Sequence, residues 1–217
     1  MGIKLNELLE SIQMEDTDLL HLRTVEGLDK RIFWANFFTQ IPQVINHVII
    51  PAEIFKLTAA KPAVINDEGI FITLDFVHTA EKEAYLKGFI PFRWDEDTDV
   101  EMRIDWLCDA DGSVGGVAWG IEYLAIKDNE AVDGATATIT EAFTGRTAGL
   151  MRSNHFTTKL LKANLEADDI ISLRIFRDHD HAGDTLDQTA RFLFLSMYNT
   201  LIQNITSDRL IKVLNLR

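Results

Sequence analysis

Residues 100, 102, 104, 106 and 108 are Val, Met, Ile, Trp and Cys, while Glu101, Arg103 and Asp105 between them are charged. A period of two places one set on one face of an extended strand and the other on the opposite face, a pattern that a helix of period 3.6 cannot sort. The same alternation runs through Ile70, Ile72, Leu74 and Phe76, then Val117, Trp119, Ile121 and Tyr123, then Ile171, Leu173 and Ile175. Further strands are expected over residues 89–94, 136–143, 155–161 and 191–201, giving eight or so. Turn chemistry separates them at residues 66–69, 95–99, 109–112, 128–134 and 178–187, all rich in Asp, Asn and Gly. Many short strands without intervening amphipathic helices predict a mainly β fold, an antiparallel β-sandwich or jelly roll. Cys108 is then a core thiol. Short helices are expected only near residues 44–49 and in the tail.

The pattern divides the chain into three parts: residues 1–40, 41–203 and 204–217. In the first, residues 18–24 and 30–37 read as the two strands of a hairpin around a Gly27-bearing turn. A lone hairpin is marginal in water, so this module leans on another surface or on copies of itself. The last part reads equally as a short helix capped by Ser207 or Asp208 and as an extended arm.

With 217 residues the chain is long enough to bury a core unaided. Its 21 Lys and Arg against 34 Asp and Glu leave a formal charge of −13, which argues against nucleic acid or an anionic membrane surface as a partner. One cysteine excludes an internal disulfide and a cysteine-based zinc site. No stretch is apolar for long enough to span a bilayer, and the N-terminus lacks the pattern of a secretory signal.

Candidate chemistry is thin. Residues 177–187 hold Arg177, Asp178, His179, Asp180, His181, Asp184, Thr185 and Asp187. Carboxylates and imidazoles of this kind suit a divalent metal, but the spacing matches no zinc signature and departs from the EF-hand loop. The plainer reading is a solvated loop with Arg177 paired to a neighbouring carboxylate. There is no Gly-x-Ser-x-Gly elbow, and the glycines at 112, 115, 116 and 120 do not open a helix after a strand. No catalytic residue, cofactor or metal site is therefore expected, and the chain is read as a non-enzyme. Among the tryptophans, Trp106 and Trp119 sit on apolar strand faces, which leaves Trp34 and Trp94 as platforms for a sugar. One strand breaks the alternation: over residues 191–201, Phe192, Phe194 and Tyr198 alternate with Leu193, Leu195, Met197 and Leu201. Its second face is expected to be covered by the N-terminal segment or by another subunit, with Phe192, Phe194 and Tyr198 at an oligomer interface.

The opening Ile3-Lys4-Leu5-Asn6-Glu7-Leu8, the Asp18-Leu19-Leu20 strand, Gly27 to Ile32 and Trp34-Ala35-Asn36-Phe37 together resemble the N-terminal module of tailed-phage fibre and other virion proteins. Phe33 stands where that module usually has Thr, and Phe37 where it has Leu. Residues 164–198 resemble the end of a small β-sandwich domain of phage virion proteins, through Ala167-Asp168-Asp169, Arg177-Asp178, Asp184-Thr185 and the strand ending at Tyr198. The resemblance implies a head or tail fibre, spike or capsid-decoration subunit of a bacteriophage, assembled in the host cytoplasm and located in the virion. It implies attachment to other virion proteins through Leu19, Leu20, Ile32, Trp34 and Phe37, a homotrimer, and a loop whose geometry is fixed by Arg177, Asp178, Asp184 and Thr185. A second reading, which can coexist with the first, is a carbohydrate-binding module or receptor-binding head in which exposed Trp or Tyr and the acidic loops touch a host surface glycan.

Overall fold

A computed structural model describes residues 19–23, 29–33, 44–110, 115–145 and 147–201, the first two segments as backbone only. The chain forms two compact units, one of which is Ile45–Ile202. The other holds a hairpin, β1 (Leu19–Arg23) against β2 (Asp29–Phe33), antiparallel with Leu19 opposite Phe33. Trp34, Phe37 and the 204–217 tail lie outside the described residues.

The larger unit carries β3 (Val44–Pro51), β4 (Val64–Glu68), β5 (Phe71–Phe76), β6 (Glu83–Phe89), β7 (Glu101–Cys108), β8 (Gly116–Ile126), β9 (Ala137–Thr144), β10 (Arg152–His155), β11 (Ile170–Arg177) and β12 (Ala190–Leu201). One sheet runs β10-β7-β12-β5-β4 with β3 also on β12, and the other runs β6-β11-β8-β9. Each pairing whose register is defined is antiparallel. Counted from β5 to β12, the first sheet takes the first, eighth, third and sixth strands, and the second takes the second, seventh, fourth and fifth. That interleaving of two Greek keys defines a jelly roll. The fold is an antiparallel β-sandwich of that topology, and β3 and β4 extend the larger sheet.

Alternation explains why the sheets face each other. Met102, Ile104, Trp106 and Cys108 of β7, Leu74 and Phe76 of β5, and Val117, Trp119 and Ile121 of β8 are all buried in one core. Trp119 crosses the gap. Its ring meets Phe76 edge-on at 5.0 Å and Trp106 at 6.0 Å, and lies 6.4 Å from Phe192, so the two sheets share one aromatic cluster. Trp106 satisfies its indole N–H on Asn154 Oδ1 at 3.1 Å. A short 3₁₀ turn, Ala52–Ile54, and Phe55 close one side of the sandwich, with Phe55 edge-on to Phe192 at 5.2 Å.

Several local readings change. Residues 44–49 form strand rather than helix, because pairing with β12 decides the state of a short apolar run. Residues 66–68 belong to β4, and the turn shrinks to the Gly69 region, where φ is +66°. The strand expected over 89–94 lies instead at Glu83–Phe89, and that over 155–161 at Arg152–His155. Residues 191–201 do form a strand, but its double-sided apolarity comes from a β-bulge between Phe192 and Phe194, which resets the alternation. Phe192 points into the core and is fully buried, so it is withdrawn from any subunit interface. Phe194 and Tyr198 are half-buried on the opposite, outer face.

Candidate interaction surface

The loop after β11 is built around Arg177. Its Nε and Nη2 donate to the two carboxylate oxygens of Asp184 at 2.8 and 2.6 Å. Nη1 donates to the carbonyls of Phe76 and Gln188, at 3.2 and 2.5 Å, and Nη2 also to that of Leu186. All five guanidinium donors are thereby used, with the side chain fully buried. Asp184 further accepts the Ala118 N–H at 2.9 Å, and Thr185 Oγ1 accepts the Gly116 N–H at 2.9 Å, so both tie the loop to β8. Asp178 joins the same strand through its backbone, its N–H donating to the Ala118 carbonyl at 2.9 Å. A Cβ on Gly116 would stand 2.5 Å from the Gly183 carbonyl oxygen, and only glycine allows that approach. Of the two histidines here, His181 Nδ1 accepts the Gly183 N–H, and His179 lies 3.5 Å from Asp180. Among the described residues no three His, Cys, Asp or Glu side chains gather as metal ligands.

On the outer face of the smaller sheet, Arg174 stands among three carboxylates. It donates to Glu122 at 2.6 Å, Glu83 at 2.9 Å and Glu81 at 3.0 Å, and its guanidinium lies 4.3 Å above the Phe176 ring. Burial works against its charge, but the three carboxylates outweigh burial and hold the guanidinium above its ordinary range. Burial likewise works to raise the Glu81 carboxyl, and the bonds from Lys61 and Arg174 prevail, leaving it below the usual carboxylate range. Phe176 can lie flat because its partner across the ladder is Gly120, where a Cβ would sit 2.2 Å from the ring.

On the outer face of the larger sheet, four strands are crossed by one row of rings and charge. His47 of β3 stacks on Tyr198 at 4.2 Å, and His155 of β10 stacks at 5.5 Å. Arg103 of β7 donates to Tyr198 Oη at 2.6 Å and to Asp105 at 2.9 Å. Phe194 meets Phe71 of β5 edge-on at 6.3 Å. Tyr198 thus spends its ring within its own sheet. Trp94, Trp106 and Trp119 are fully buried, so Trp94 offers no platform to a sugar. A cavity of about 360 Å³ lies by Tyr123, Ala135 and Asn164, and its wall has no acid, base or imidazole.

The exposed apolar side chains are concentrated elsewhere. Ile45, Val48 and Ile49 of β3, Val64 and Ile65 of β4, Ile70, and Phe71 and Ile72 of β5 are all open to solvent, from 39% at Ile72 to 95% at Ile70. β3 pairs only with β12 and β4 only with β5 among the described strands, so each carries a free edge. The loop that looked chemical in the sequence is held by the Arg177 hydrogen bonds, and the exposed apolar side chains gather at this sheet margin. Its signal in the sequence was the apolar run Val44-Ile45-Asn46-His47-Val48-Ile49-Ile50, which no single core face can absorb.

No protein-family model matches the chain, and no curated protein matches it. Among solved structures it is similar to the CBM36-1 domain of a multidomain xylanase from the hindgut metagenome of Trinervitermes trinervoides, with 9% identity and a TM-score of 0.44, over 70% of this chain and 96% of that one. It is also similar to the infectious bursal disease virus VP2 subviral particle, with 14% identity and a TM-score of 0.37, over 85% of this chain and 38% of that one. A third similarity is to TmCBM61 in complex with β-1,4-galactotriose, with 10% identity and a TM-score of 0.32, over 70% and 88% of the two chains.

Proposed function

We propose that this chain is a non-enzymatic structural protein of a bacteriophage virion: a head or tail fibre, spike or capsid-decoration subunit that displays its jelly roll outward as a homotrimer. The observation that carries the reading is the larger sheet, two of whose edges, β3 and β4, have no partner among the described strands and expose apolar side chains on an otherwise acidic protein. Such edges are a liability in a monomer and an asset in an assembly. The N-terminal resemblance supports attachment to other virion proteins, and three linked arms would bind together far more tightly than one. Of the described charge clusters, Arg177 is wholly engaged by structure, and Arg174 neutralises carboxylates that would otherwise repel. The acidic surface suits a component held in solution at high density.

The test is the particle itself. Purified virions should contain the chain in a fixed ratio to the major capsid protein, and gold-labelled antibody should mark it at regular positions. Its absence from particles that are intact and infectious would end the proposal.

A further inference from the structure

We infer that the β3 margin and the β4–β5 hairpin form one self-association surface, with β3 of one copy set against the hairpin of the next; this rests on the self-assembly part of the reading above. The argument starts from which way the side chains point. On β3, Ile50 turns into the core and His47 stacks on the outer face, so Val48 points inward and Ile45 and Ile49 outward. On the hairpin, Ile65 pairs with Leu74, an inward residue, while Val64 pairs with outward Asp75 and Phe71 packs on outward Phe194. β3 is therefore apolar on both faces, and the hairpin margin carries one apolar residue on each face at Val64 and Ile65, ahead of Asn66, Asp67 and Glu68. A solvated strand of an antiparallel sheet keeps one polar face, and β3 does not.

A partner that covers both faces of a strand is another strand continuing the sheet, with apolar residues at successive positions. Among the described strands β3 and β4 each have an edge with no partner, and each offers apolar residues at successive positions, Val48-Ile49 and Val64-Ile65. A two-fold pairing of β3 with its own copy would leave the hairpin bare. Pairing β3 with the hairpin of another copy uses both margins of every subunit, in one contact when the exchange is reciprocal about a two-fold axis and in two when it runs head to tail around a ring. In a reciprocal exchange the eight exposed side chains bring on the order of 800 Å² from each subunit to one interface, the share one partner contributes to a stable one; around a ring the same area is divided between two contacts. None of the eight is charged, but Asp67 and Glu68 of β4 stand beside them and each whole copy carries −13. Association should therefore strengthen as salt screens the repulsion between copies.

The experiment uses the full chain in sedimentation equilibrium across protein and salt concentration, alongside Ile45→Glu, Ile65→Glu and the control Phe92→Glu. Phe92 is an exposed ring in the connection between β6 and β7, on neither β3 nor the β4–β5 hairpin. Far-UV circular dichroism and melting confirm that each variant is folded. The expected result is a closed oligomer in the wild type and in Phe92→Glu, with each margin variant weakened about tenfold or more. Hydrogen exchange at residues 45–49 should slow as protein concentration rises. A wild type that stays monomeric at about 100 μM, even in high salt, overturns both this inference and the self-assembly reading. An oligomer that tolerates both margin variants overturns the inference alone and places the contact elsewhere. So does exchange protection of residues 45–49 that is independent of concentration, because the cover then belongs to the same chain.

Discussion

Arg174 and Arg177 stand on the same strand three residues apart, and each is met by carboxylate, yet they do opposite work. Arg177 has one carboxylate and three backbone carbonyls, no solvent and no spare donor. Arg174 has three carboxylates, lies partly in solvent and shares them with Lys61 and Thr58. The lesson is that the number of acids around an arginine says little about its role. What decides it is whether burial leaves any group that water could serve instead.

The comparison breaks first at Arg177. Replacing it with Ala strands the Asp184 carboxylate and three carbonyls in the interior, and should cost about 3–5 kcal/mol in chemical denaturation. Arg177→Lys should recover little, because an ammonium has three donors where the guanidinium fork supplies five. A Lys variant as stable as the wild type would show that charge alone, and not the fork, holds the loop.

Gly120→Ala comes next. The new methyl collides with the Phe176 ring and should cost about 1–3 kcal/mol. Combining it with Phe176→Ala should return much of the Gly120→Ala increment, and a purely additive double mutant would refute the contact.

Arg174→Met should cost only about 1 kcal/mol at neutral pH. Its pH dependence is the sharper reading. The Glu81 carboxyl sits below its ordinary range in the folded protein, so its contribution is present above the unfolded value and fades as pH falls through the folded one. The variant loses part of that contribution, so its deficit against the wild type should narrow on acidification from pH 7 towards pH 3. A deficit constant across that range would mean that Arg174 acts through its packing on Phe176.

The smallest effect is expected at Asp169, where burial pushes the carboxyl up against the pull of the Glu166 N–H. A raised carboxyl costs stability once ionised, so the wild type gains as pH falls through the folded value. Asp169→Asn should melt slightly higher than the wild type at pH 7, by a few tenths of a kcal/mol, and the advantage should vanish near pH 4. A variant less stable at both pH values would show that Asp169 Oδ2 is needed as an ionised acceptor.

Much of the fold was legible because β5, β7, β8 and β11 each put one clean apolar face on the core, and a period of two is hard to mistake. β3 was not, since its apolar run is short enough to suit a helix and its state is set by β12, far along the chain. β4 was hidden by composition: Asn66, Asp67 and Glu68 read as turn residues, and only the left-handed Gly69 is the turn. The bulge at Phe192 and Phe194 has no sequence mark, and without it both faces of β12 seemed to need a cover. Arg177 and Asp184 stood out in sequence as charge, but the carbonyls that complete the clamp come from Phe76, Leu186 and Gln188, whose side chains give no hint of it. The exposed margin was missed because exposure depends on which strands are left at the ends of a sheet.

β12 is the last strand of the domain and lies in the middle of its sheet, between β7 on one side and β5 and β3 on the other. During synthesis the other nine strands of the sandwich leave the ribosome before the one that joins them. Until it arrives, β7 lacks its longest neighbour and the hairpin of β4 and β5 has no sheet to join, so the nascent chain carries more bare backbone than the finished one. Closure is correspondingly non-local and slow. Temperature during expression, more than the stability of the final fold, should therefore govern how much protein reaches the assembled state.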